Sequence, residues 1–275
     1  MLRAMSSYVY IKQRLHPGLL DSMFRGGAQA IELFAARGHF NYHDKDHVKE
    51  LGSWFKSEKV ALHSIHAPIY MGNDFNSGGM PINIVDPDKR NRIDAMDEIK
   101  RAIEVAESVP FKYLIQHIGK SDEYDDPRKF DNALSGIEHL RAFARPLGVS
   151  LLLENIPNDL STPERLVELM NLLRYPDLGI CFDVGHAHMM SSVHQAFSVL
   201  EGYIRSTHIH DNNRDKDTHL WPGEGNIDWD QTVQSLRTAS LEPALLLEVE
   251  GAEGLNVSPK MAEVYENLES AGVAE

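Results

Sequence analysis

The sequence predicts a single-domain α/β protein, a (β/α)8 TIM barrel, and three observations predict it. Short apolar or β-branched runs recur eight times with helical stretches between them, the alternation that parallel βαβ units require. The 275 residues suit such a barrel as one unit. Six of the eight runs end in, or soon lead into, side chains able to bind a metal, at the strand ends where a barrel of this kind opens.

The expected strands are Tyr8 to Ile11, Ala30 to Phe34, Ala61 to His66, Tyr113 to His117, Ser150 to Glu154, Leu178 to Asp183, Arg205 to His208 and Ala244 to Glu248. Helices fill the intervals. From Pro87 to Val109, the spacings of Ile93, Met96, Ile99, Ile103 and Ala106 make one apolar stripe to lie on the sheet. Ser161 with Glu164 reads as a capping box, with Pro163 in the first turn ahead of Leu166, Leu169 and Leu172. Asp228 precedes a helix carrying Val233 and Leu236. No low-complexity block or linker interrupts the chain, so one domain is expected over residues 1–275, with its core from about residue 7 to residue 272. The long connection at residues 67–88, with Gly72, Phe75, Gly78, Gly79 and Met80, follows a strand on the open side and reads as a lid.

Composition narrows the function. One cysteine, Cys181, excludes an internal disulfide, and the start of the chain lacks the apolar run of a secretory signal, so a cytoplasmic location is expected. No apolar run is long enough to span a bilayer. A formal net charge of -14 disfavours unspecific nucleic-acid binding.

The richest chemistry lies in Thr207 to Gly225, THIHDNNRDKDTHLWPGEG, where histidines and aspartates follow a strand end at short spacing, as borderline divalent metals require. Other strand ends supply His66, His117, Glu154, Asp183 with His186, and Glu248. A carboxylate ending an apolar run such as LLLE is costly unless it binds something. His66 and His117 read either as ligands or as satisfied core histidines. His63 falls on the opposite strand face by the period of two and reads as structural. His208 and His210 share a parity, which leaves the choice between them open. His188 and His194 read as bystanders, and Cys181 as a small packed core residue. Trp221 either walls the pocket or covers the rim.

HAP at His66, QHIG at His117, LLLENIP at Glu154, CFDVGHAH at Asp183, HIHDNNRDKDTHLWPGEGNIDW from His208 and LLLEVEG at Glu248 together resemble the xylose-isomerase-like TIM-barrel superfamily. The superfamily includes sugar and sugar-phosphate isomerases and epimerases, and the zinc-dependent apurinic endonucleases. In the epimerase branch one divalent metal, manganese or zinc, is held by residues that correspond to Glu154, Asp183, His208 and Glu248, so the resemblance favours His208 over His210. It implies Glu154 and Glu248 as the catalytic pair, moving a proton beside a carbonyl through a metal-stabilised enediolate, with His186 and Arg214 on substrate oxygens. His66, His117, His186, Asp217 and His219 match the positions that hold two further metals in the endonuclease branch, so two or three ions are conceivable.

The sequence reading is therefore a metal-dependent isomerase or epimerase of a sugar or sugar phosphate. Its partner is a small carbohydrate, without nucleic acid or membrane, and a homo-oligomer is compatible with it. His186, Arg214, His66, His117 and Trp221 are expected around the substrate. The alternatives are an endonuclease-like phosphodiesterase acting on abasic DNA, with Arg37 on a phosphate, and a noncatalytic sugar-binding barrel, which would be expected to lose one glutamate.

Overall fold

The computed structural model describes residues 1–72, 79–239, 241–251, 254 and 256–272. Its strands are β1 (Arg3–Ser6), β2 (Ala30–Phe34), β3 (Ala61–His66), β4 (Tyr113–Gln116), β5 (Ser150–Glu154), β6 (Gly179–Asp183), β7 (Ile204–His208) and β8 (Leu245–Leu247). They pair in parallel in the order β7-β6-β5-β4-β3-β2-β1-β8. The ring closes just beyond β7, where the Ile209 amide donates to the Leu246 carbonyl (2.8 Å) and Glu248 donates to Ile209 (3.1 Å). Around it run α1 (Pro17–Arg25), α2 (Lys45–Glu58), α3 (Lys89–Ile103), α4 (Pro127–Ala144), α5 (Pro163–Leu173), α6 (Val184–Met190), α7 (Val193–Leu200), α8 (Trp229–Thr238) and α9 (Ser258–Ser270). The result is the expected (β/α)8 barrel.

The pleat divides the side chains. Met5, Ile31, Leu33, Ile65, Leu114, Leu151, Leu153, Ile180, Phe182, Leu245 and Leu247 join the large core between strands and helices. Residues of the other parity form small clusters inside the barrel, one of Ala4, Ala30, Ala244 and Leu246 and one of Tyr113, Ile115, Leu152 and Cys181. Higher on the same parity come Ser6, Glu32, Ser64 and Ser206, and above them at the mouth Glu154, Asp183 and His208, all buried. Cys181 is thus the packed core residue expected, with a thiol pushed up by burial.

Four local expectations need correction. The first strand is Arg3–Ser6, and the Tyr8–Ile11 run instead enters a 3-10 turn, Ser7–Tyr10, capped by Ser6 Oγ. Its inward residues, Ala4 and Ser6, are too small to mark a strand by hydrophobicity. Thr162, not Ser161, caps α5 by accepting from the Arg165 amide, while the Ser161 hydroxyl donates to the Ile118 carbonyl. The buried face of α3 runs through Ala95, Ile99, Ala102 and Ile103, with Ile93 exposed and Ala106 in a following 3-10 turn; Leu172 of α5 is likewise exposed. The helix phase is set by Ala95 and Ala102, which count little in a search for large side chains. Finally, the β2–β3 register slips between Ile31 and Glu32, which turns His63 inward, and its Nε2 lies 3.1 Å from Ser206 Oγ across the barrel. A bulge breaks the period of two. Burial there pushes the His63 pKa down to about 4.

Strand ends feed capped helices. Asp44, Asp88, Asp126, Thr162, Asp183, Ser192 and Asp228 all have extended backbone and accept from amides of the following turn. Each such cap is worth about 1 kcal/mol. In the 67–88 connection, Tyr70 bridges Pro81 and the Met71 amide donates to Met80, so the loop base is a short antiparallel ribbon. The expected lid residues Phe75 and Gly78 lie outside the described residues.

Candidate metal centre and substrate cavity

Ligating groups converge at the barrel mouth because each sits one pleat above the interior clusters. His208 Nδ1 lies 3.3 Å from Glu154 Oε1, 3.4 Å from Glu248 Oε2 and 3.8 Å from Asp183 Oδ2. One ligand atom from each of these four residues lies within 4.8 Å of the others. All four are buried. Glu248 Oε1 and His186 Nδ1 are buried without a hydrogen-bond partner. Three carboxylates and an imidazole at this spacing, with orphaned lone pairs, fit a divalent cation.

Two further groups adjoin the first. His66 and His117 meet Glu154 Oε2 through their Nε2 atoms at 3.4 and 3.1 Å, and the two Nε2 atoms are 3.2 Å apart. His66 Nδ1 donates to the Ala67 carbonyl at 2.8 Å, which turns Nε2 towards Glu154 and His117. On the other side, His186, His210, Asp217 and His219 form a cluster. Asp217 Oδ2 lies 3.1 Å from His186 Nε2 and 3.3 Å from His219 Nε2.

The same residues match a family. Residues 24–270 match the xylose isomerase-like TIM barrel family. The chain belongs to it. An uncharacterized protein of Methanocaldococcus jannaschii is 28% identical over 77% of this chain and 72% of its own length. Fructoselysine 3-epimerase of Shigella flexneri is 25% identical over 73% of each chain. A solved D-tagatose 3-epimerase-like protein superposes with a TM-score of 0.81 at 24% identity, covering 99% of this chain and 98% of the other.

Within this xylose isomerase-like barrel, the charges shape one another. Burial alone would raise the Glu154 carboxyl, but His208, His117 and His186 hold it well below the usual carboxylate range. For Glu248 burial prevails and its pKa rises. Burial works against protonated His219, yet Asp217 and Glu248 raise it to about 9. His186 and His208 are likewise raised well above the ordinary value against burial, His186 chiefly by Asp183 and Asp217, His208 by Cys181 and the surrounding glutamates.

The cavity above these groups holds about 110 Å³ and is lined by Tyr8, Phe34, His66, Ile69, His117, Ser121, Glu154, Ile156, His186, Asp217, His219 and Glu248. It shares Ile69, His117 and Ser121 with a neighbouring hollow of about 220 Å³ beside the loop base at Tyr70 and Pro81. A larger hollow of about 690 Å³ lies on the outer surface at Thr162 and His194, away from all three ligand groups.

Of the residues expected around a substrate, His66, His117 and His186 line the cavity, while Trp221 and Arg214 do not. Trp221 is buried in the core under the rim. Arg214 is exposed in a loop turn with φ of 72°, where its amide donates to Asn212 Oδ1. His188 Nε2 lies 2.5 Å from Asn226 Oδ1, outside the three ligand groups. Arg37 is held by Glu98 at 2.6 Å, alongside Tyr42 and His43 on the same oxygen.

Sequence reasoning set His210 aside in favour of His208 and passed over Asn155, Asp211 and Glu32. His210, whose Nε2 lies 3.1 Å from Asp183 Oδ1, stacks on His219 with ring centroids 4.0 Å apart. Gly185 makes room for it, since a Cβ there would collide with the imidazole. Asn155 clamps the metal-facing strands by accepting from the Asp183 amide and donating to its carbonyl, both at 2.8 Å. Asp211 accepts from Asn212, Gly223 and Ile227 amides and from Trp229 Nε1, which folds the 212–227 loop back over the mouth and carries Asp217 and His219 with it. Glu32, one pleat inside, faces His208. The HIHD and EN neighbours were visible signals for three of these; Glu32 had only its polarity within IELF.

Proposed function

We propose that this chain is a metal-dependent isomerase or epimerase of a sugar without a phosphate group, working by proton transfer at the carbon beside a carbonyl. The observation that carries this is the flanking of one imidazole by two buried glutamates, Glu154 at 3.3 Å and Glu248 at 3.4 Å from His208 Nδ1, at the floor of the cavity. Glu154, Asp183, His208 and Glu248 would hold the ion. Bound there, a divalent cation supplies a Lewis acid for the carbonyl oxygen. Carboxylate ligands suit manganese and the imidazoles suit zinc, so either serves.

The chain's own residues supply the rest. Glu154 ends β5 and Glu248 follows β8, three strands apart round the ring, and both line the cavity, so in this reading one carboxylate takes the proton from the carbon and the other delivers one to the opposite face. His66, His117 and His186 offer donors to hydroxyls, and Tyr8 and Phe34 wall the cavity with aromatic surface. Among the described residues no lysine or arginine lines the cavity, and residues 73–78 contain neither in sequence. A phosphate dianion would therefore meet Glu154, Asp217 and Glu248 with only imidazoles of the cavity to balance it, while Lys120 lines the neighbouring hollow and is paired with Asp122 at 3.0 Å. The similarity to fructoselysine 3-epimerase and to a D-tagatose 3-epimerase-like structure supports a small carbohydrate as partner.

Free ketoses incubated with metal-loaded protein in deuterated water are expected to gain deuterium beside the carbonyl and to change configuration there. Metal content on purification distinguishes one ion from three. A second reading, phosphodiester cleavage at abasic DNA, is favoured by one observation: Glu154 belongs to two of the ligand groups and lies 3.4 Å from His186 Nδ1 of the third, which makes a continuous array. Three bound ions, cleavage of abasic duplex and no exchange with any ketose would replace the first reading by the second.

A further inference from the structure

We infer that Glu32 is a positioning residue for the metal centre, holding His208 by its far nitrogen so that Nδ1 faces the ion. This rests on the proposed metal site. Glu32 is fully buried inside the barrel, one pleat below the mouth. His208 Nε2 lies 3.2 Å from Glu32 Oε1 and 3.3 Å from Oε2, while the Ser64 hydroxyl donates to Oε2 at 2.7 Å. The opposite nitrogen, Nδ1, faces Glu154, Asp183 and Glu248.

A carboxylate can only accept, so Glu32 engages a proton on Nε2, and an ion held among Glu154, Asp183 and Glu248 would then take the Nδ1 lone pair. Ser64 keeps the carboxylate from turning away. A buried carboxylate in an apolar barrel is a poor choice for stability alone, because desolvation costs several kcal/mol and its partners repay it only in part. Alanine and leucine fill the equivalent inward positions at Ala30 and Leu246 without that cost. What the carboxylate adds is orientation and basicity for the imidazole above it, the outer-shell role that carboxylates play for metal-bound histidines.

Zinc titrated into metal-free protein against a chromophoric chelator, with no substrate present, reads this directly. In E32L the zinc dissociation constant is expected to rise roughly ten- to a hundredfold, and E32Q, which keeps an acceptor oxygen opposite Nε2, is expected to recover most of that loss. A purely structural carboxylate would lower the thermal midpoint of the metal-free variant and leave the zinc constant unmoved. Zinc affinity in E32L within about twofold of the parent protein overturns the role of Glu32 while leaving the metal site intact. Absence of zinc binding in the parent protein overturns both. Should E32L fail to fold, nitrogen-15 spectra of the zinc-loaded parent protein decide: Nε2 protonated and Nδ1 metal-bound is expected for His208, and the reverse overturns the inference.

Discussion

The lower interior of the barrel and its mouth are built by the same strands, one pleat apart, yet they follow opposite rules. Below, Ala4, Ala30, Ala244 and Leu246, then Tyr113, Ile115, Leu152 and Cys181, pack apolar surface with little chemistry. Above, on the same parity, Glu154, Asp183, His208 and Glu248 bury charge that apolar packing cannot repay. The difference teaches that stability and function are separated along the strand axis, so a substitution two residues away should change which property suffers.

The largest expected effect falls on the lower layer. Ile115→Ala removes a fully buried side chain from the interior and is expected to cost about 2–5 kcal/mol of stability. Zinc affinity of the folded variant should stay close to the parent value. Chemical denaturation paired with chelator competition checks both, and a loss of metal binding equal to that of a ligand variant would show that the two layers are not separable.

At the mouth, Glu248→Gln keeps the side-chain size and one oxygen for the ion but removes the proton acceptor. Turnover of a ketose is expected to fall roughly a hundredfold or more, with melting behaviour little altered. Isotope exchange sharpens the comparison, since a protein left with Glu154 alone can exchange a proton on one face without inverting the centre. Full epimerisation by E248Q with its metal retained would exclude the two-glutamate scheme and turn attention to His186.

Why the lower layer was hard to see in the sequence and the mouth easy follows from the same contrast. The mouth announces itself because Glu154 and Asp183 end runs of apolar residues, a pattern that burial penalises unless something is bound. Seven of the eight strands were legible from such runs, whereas β1 was not, because Ala4 and Ser6 point inward where only small side chains fit. Parity placed Cys181 correctly but failed at His63, where a register slip invisible to local periodicity inserts one residue. Glu32 and Asp211 were missed for a different reason: their partners, His208 and the backbone amides from Gly223 to Ile227, become neighbours only through the fold.

Histidines carry the contrast into pH. His39 pairs with the Gln13 carbonyl and Ser7, and burial pushes its pKa down to about 4, as it does for His63. The folded state therefore binds fewer protons than the unfolded chain below the ordinary histidine value. Stability falls as pH drops from about 6.5 towards 4, by at most about 1.4 kcal/mol per pH unit for each histidine. For His219, raised to about 9, the sign reverses: its contribution is complete below the unfolded value and is lost as pH rises through about 9. Denaturation midpoints of the metal-free protein across both limbs test this. H39Q should flatten the acid limb alone, and an acid limb unchanged by it would assign the loss to the carboxylates instead.

The smallest expected effect is one of salt, and its smallness discriminates. The chain carries a formal net charge of -14, and no lysine or arginine lines the cavity among the described residues. Arg37, a candidate for phosphate contact, is already tied to Glu98. An uncharged sugar meets this mouth through hydrogen bonds that mobile ions screen little, so kcat/KM for a ketose should change by less than about twofold between low and physiological salt. A duplex bound through six to ten phosphates would instead lose about 10³- to 10⁵-fold in affinity between roughly 50 and 200 mM salt, as counterions cease to be released favourably. The same protein assayed on a ketose and on abasic duplex across that range gives two slopes. A flat line for the sugar with no duplex cleavage supports a mouth built for a small neutral ligand. A steep line with cleavage would mean that the acidic exterior is overcome locally by bound metal, and that the array joined by Glu154 serves phosphodiester chemistry.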